Sequence, residues 1–112
     1  MAGLSKKIRK ELRVLCDRAY KSQLDHELSI LAKSFNDWEN KKIDCFELSN
    51  KIHQFHDGSA RDLWKRYNYS KDYLYLVAVA IVEGHIKESE VSEEALKELR
   101  NIVDSYTRYT SE

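Results

Sequence analysis

No proline interrupts this 112-residue chain, and only three glycines punctuate it. Sandwiches and barrels spend both residues in their many turns, whereas helix interiors exclude them. Few turns and long helical runs are what remains. Apolar residues then recur in steps of three and four, which gathers them on one side of a helix.

The first such run is long. Ser5 is a plausible N-cap, and Ile8, Leu12, Leu15, Ala19, Leu24, Leu28, Leu31, Phe35 and Trp38 mark a helix from about Lys6 to Trp38. The five-residue step from Ala19 to Leu24 makes the stripe drift, so the helix meets several neighbours in succession. Asp44, with Glu47 three residues on, opens a second helix whose narrow stripe is Cys45, Leu48, Ile52 and Phe55. Gly58 is expected to end it in the left-handed conformation. Ser59 with Asp62 reads as a capping box for a short third helix through Ala60, Leu63, Trp64 and Tyr67, making a tight corner. Ser70 can cap a fourth helix from about Lys71 to Glu83, with Gly84 just beyond. Its run Tyr73 to Val82 would suit a buried strand equally well, but no second strand exists to satisfy its backbone. It is therefore read as the buried central helix. The last helix begins near Ser92 and turns Ala95, Leu96, Leu99, Ile102, Val103 and Tyr106 inward. The expected fold is all-α: a compact bundle of four main helices plus a short corner helix, forming a single helical domain over residues 1–112.

Charge narrows the function classes. Nineteen basic side chains balance nineteen acidic ones, so the basic excess of a general nucleic-acid or anionic-membrane binder is absent. The longest apolar run is about half of what a membrane span needs. Lys6 follows the N-terminus without an apolar leader, and Ala2 stands where myristoylation needs glycine. The two cysteines, Cys16 and Cys45, form neither a CxxC pair nor a disulfide framework. The reading is a cytoplasmic protein without a membrane partner.

Polar chemistry clusters in one place. His53, His56, Asp57, Arg61 and Trp64 fall within the segment Ile52–Trp64, and these five are the candidate ligand-binding residues. His53 and His56, three apart, share a helical face with Ser49 and could share a ligand. Each residue also has a structural alternative. His56 suits a helix C-terminus, Asp57-Gly58 a turn, Ser59 a cap, and Trp64 a core anchor. A zinc site wants about three or four ligands, and no spacing brings a third to the two histidines. No metal or cofactor is assigned.

His56-Asp57 is also an HD dipeptide, with His26 upstream and Asp104 downstream. That order resembles the His…His-Asp…Asp arrangement of HD-domain metal-dependent phosphohydrolases. The resemblance implies that those four positions would hold a divalent metal and its activated water. The chain is short for that family. It also lacks the long apolar lead and the glycine-plus-basic sequel of the family's dipeptide.

Other signals are broader. Cys16 and Cys45 fall on or near inward stripes, where a thiol acts as a small hydrophobe. Lys6, Lys7, Arg9, Lys10, Arg13 and Arg18 give the first helix a basic face, diluted by Glu11 and Asp17. Tyr67, Tyr69, Tyr73 and Tyr75 crowd the join between the third and fourth helices and are candidate interface residues. The leading expectation is a non-enzymatic protein-interaction or regulatory module, with a protein partner or self-association as a homodimer. A metal-dependent hydrolase or small-ligand-binding domain at the His53/His56/Asp57/Arg61 corner is the second reading. A nucleic-acid-associated regulator using the basic first helix is the third.

Overall fold

Ser5 starts the first helix as its spacing requires: the Oγ accepts the Ile8 N–H at 3.2 Å. In the computed structural model, which describes residues 4–111, α1 runs Lys6–Glu39, α2 Cys45–Gln54, α3 Arg61–Tyr69, α4 Tyr73–Val82 and α5 Glu93–Ser111. A single 3₁₀ turn, Glu88–Glu90, precedes α5. No strand occurs among the described residues, and the chain is all-α. It divides into two units, one made of the chain up to Tyr20 with Ser70 onward, the other of Lys21–Tyr69.

The first unit holds nearly all of the buried apolar side chains. Leu12, Leu15 and Ala19 of α1, the run Leu76–Ala80 of α4, and Ala95 and Leu99 of α5 are buried there. Asp72 caps α4 by accepting the Tyr75 N–H at 3.1 Å. The helix starts at Tyr73 rather than Lys71, because Ser70 accepts the Asp72 N–H instead and holds the chain in a turn. Gly84, at φ 84°, ends α4. The His85 N–H reaches back to the Ala80 carbonyl at 2.8 Å, closing a Schellman motif in which only glycine escapes the left-handed penalty. Ile86 and Val91 of the following loop are buried. Ser92 caps α5 through the Ala95 N–H at 3.2 Å. It also donates its own N–H and O–H to the Glu11 carboxylate at 2.8 and 2.7 Å, tying α5 to α1. Val103 and Tyr106 lie outside the described side chains.

The second unit is a helical hairpin. Its first arm is α1 from Lys21 onward. That arm ends on Lys41, a non-glycine at φ 59°, with the Lys42 N–H on the Asp37 carbonyl at 2.8 Å. This is again a Schellman closure, at a position where a Cβ carries a cost. Asp44 then caps α2 by accepting the Glu47 N–H at 2.8 Å.

The tight corner at Gly58 does not form. Residues Phe55–Ala60 make a π-helical turn, and Gln54 and Arg61 at its ends both keep right-handed helical angles. The chain thus runs from Cys45 to Tyr69 as one helical rod. Gly58 is not left-handed, and a Cβ added there would meet nothing within 4 Å. Ser59 lies inside the π turn, so it cannot open a new helix as a cap. The reason lies in the stripe. Leu48 and Phe55 are followed by Ser59, Leu63 and Tyr67 at steps of four, which in an α-helix would walk steadily around the axis. A π turn takes one extra residue per hydrogen-bonded ring, turning the later positions back. Leu48 is buried, and Phe55, Ser59, Leu63 and Tyr67 are all half-buried.

Candidate functional site

The histidine segment is placed by this rod. His53 belongs to α2, His56 and Asp57 to the π turn, and Arg61 and Trp64 to α3. All five side chains are exposed rather than half-buried or set in a groove, because the continuous helix turns them away from the Leu48–Phe55 stripe. Nor does His56 stand at a helix C-terminus. Trp64 is no core anchor: it is 48 % exposed, with its ring edge-on to Tyr69 at 5.3 Å. Among the described residues no three His, Cys, Asp or Glu side chains gather where a metal ion would sit. Of the four positions that the HD resemblance implies, His26, His56 and Asp57 lie in the second unit and Asp104 in the first.

The four tyrosines divide between the units. In the second, Tyr67 is half-buried and Tyr69 exposed. In the first, Tyr73 is half-buried with the Arg13 guanidinium 5.5 Å above its ring, and Tyr75 is exposed. The basic face of α1 is partly neutralised where it folds. A shallow groove along it is lined by Lys7, Lys10 and Arg18 but also by Glu11 and Glu90, and Arg18 approaches the Glu90 carboxylate at 4.0 Å.

The cysteines behave differently from each other. Cys16 is buried, and its thiol points to the Tyr73 carbonyl at 3.8 Å. Burial, aided by the charge of Asp17, pushes it up to about 12, so the reactive thiolate is suppressed at neutral pH. Cys45 is exposed, contrary to its expected inward position. As the first residue of α2 it precedes the buried stripe.

The feature that sequence spacing alone did not bring out lies on the first arm of the hairpin. There the covered positions are Gln23, which is buried, and Leu24, Glu27, Leu31, Ser34 and Asp37, which are half-buried. Four of these six are polar. The apolar row of Leu28, Phe35 and Trp38 is turned to one side of this seam, and each keeps 41–43 % of its surface exposed. Steps of seven and three residues put the three on one helical flank, bordered by the half-buried Leu24 and Leu31. On the second arm Ile52 is also exposed, and Phe46 is 80 % exposed. Leu48 is the single buried apolar residue of the whole segment Lys21–Tyr69. The signal was present in the sequence as polar residues at positions 23, 27 and 34. These form a second helical row beside the apolar one, and only one row can face the returning arm.

A cleft between the two arms is lined by Ile30, Leu31 and Phe55 with Glu27, Lys51 and Gln54. Residues 27 and 30 of one arm stand near 51, 54 and 59 of the other, as an antiparallel hairpin requires. The cleft is shallow, and its lining also includes Ser34 and Ser59 but no histidine or cysteine. No known protein family, curated protein or solved structure matches this chain.

Proposed function

We propose that this chain is a non-enzymatic protein-interaction module of the cytoplasm, working through the apolar flank of its helical hairpin. The observation that carries the reading is the row Leu28, Phe35 and Trp38, left open while polar residues of the same helix occupy the hairpin seam. Exposed single apolar residues are ordinary on a protein surface, but an aligned row with two aromatic members is the usual composition of a binding face. Aromatic side chains also dominate the energy of such faces, because they bury a large area while ordering few torsions. Two helices with one buried leucine between them have little core to stabilise them, and covering this flank would supply what is missing.

Photo-crosslinking tests the proposal. A benzophenone amino acid placed at Phe35, and separately at Trp38, should form a discrete protein adduct on illumination in intact cells. The same group at exposed His53 should not. Absence of any adduct from both flank positions, with the protein folded and abundant, would overturn the reading.

A further inference from the structure

We infer that the occupant of this flank is a second copy of the same chain, packed antiparallel along the Leu24–Trp38 stretch of α1. The inference rests on the interaction reading above and adds the identity of the partner.

Two observations favour self-pairing, and a third sets its strength. The first is charge. The hairpin segment carries eight basic and eight acidic side chains, so it calls for neither a strongly acidic nor a strongly basic partner, and two copies approach without net repulsion. The second is the arrangement of the row itself. About a twofold axis at Leu31, an antiparallel copy sets Leu31 against Leu31, Leu24 against Trp38, and Leu28 against Ser34 and so next to Phe35. Such a contact is self-complementary, as a twofold interface demands. Lys21 and Glu39 lie on the same flank, eighteen residues or five helical turns apart. Antiparallel pairing therefore brings each Lys21 towards the opposite copy's Glu39. Lys21 already holds Asp25 at 2.8 Å, and its ammonium, held protonated by that carboxylate, has further donors to give.

The third observation is area. At about 200 Å² for a full aromatic side chain, Leu28, Phe35 and Trp38 leave on the order of 250 Å² open on the flank. That is well under the roughly 800 Å² a standard interface takes from each partner, so the pairing is weak and depends on concentration. Two hairpins meeting by their apolar sides give four helices around a shared core, an arrangement that two-helix units reach readily.

Sedimentation equilibrium of the purified chain between about 1 and 100 μM tests the inference. The expected result is a mass rising to twice 13.2 kDa, and a return to the single-chain mass for Leu28→Glu/Phe35→Glu. Lys97→Glu, an exposed change in the first unit, should leave the dimer intact. Should the double variant lose its helical circular dichroism, fluorescence supplies a second readout. With Trp64→Phe leaving Trp38 as the one tryptophan, emission should shift to the red on dilution through the dissociation range. A single-chain mass at every concentration would overturn self-pairing, yet leave the interaction reading standing if crosslinks to another protein form at Phe35. A dimer indifferent to the double variant would overturn it too, and would place the contact elsewhere.

Discussion

Ala78→Asp is expected to unfold the first unit. Ala78 has no exposed surface and sits amid Leu76, Val77, Val79 and Ala80, all buried. Every side of α4 is covered there, so the new carboxylate cannot reach water and no cationic partner faces it from its own helix. A buried polar group without a partner costs about 2–7 kcal/mol, more if it stays charged. A domain of this size has roughly 5–15 kcal/mol in all. Thermal melting followed by circular dichroism should show the helical signal largely lost, or the midpoint lowered by tens of degrees. An unchanged midpoint would mean that α4 is not the centre of the unit.

Gln23→Leu is expected to act in the opposite direction. Gln23 is 7 % exposed, and neither its Nε2 nor its Oε1 finds a hydrogen-bond partner in the protein. Leaving such a group unpaired costs about 1–3 kcal/mol, while leucine has similar bulk and nothing to desolvate. The variant should therefore gain roughly that much, read as a higher urea midpoint at an unchanged slope. A lower midpoint would show that the amide is satisfied in solution and helps to specify the helix pairing.

How far the sequence reached depended on which interactions were local. The caps at Ser5, Asp44 and Ser92 and the glycine after α4 act within one turn, and each stands where its residue type and spacing indicate. The burial of Leu76–Ala80 also followed locally, since a helix apolar on all sides has no face to give to water. The corner was misread for a physical reason. Asp57-Gly58-Ser59 carries turn chemistry, but the half-buried row Phe55, Ser59, Leu63 and Tyr67 is better kept together by one π turn than by two helices. Turn propensity yields when side-chain packing on the rod favours continuity. The end of α1 was obscured in the opposite way, because Lys41 holds the left-handed position normally marked by glycine. The flank of Leu28, Phe35 and Trp38 was visible as a row but not as a surface. Periodicity shows that residues share a face, and only the placement of Gln23, Glu27 and Ser34 in the seam shows which face is left over.

Hydrogen exchange measured at low and high protein concentration tests the central claim most directly, that the hairpin owes its firmness to whatever covers its flank. Amide protection reports local opening free energy segment by segment. In dilute solution, amides of residues 24–38 and 48–67 should exchange far faster than those of Leu76–Ala80, and raising the concentration should slow the hairpin amides without altering those of α4. Strong hairpin protection, equal to that of α4 and independent of concentration, would contradict the account.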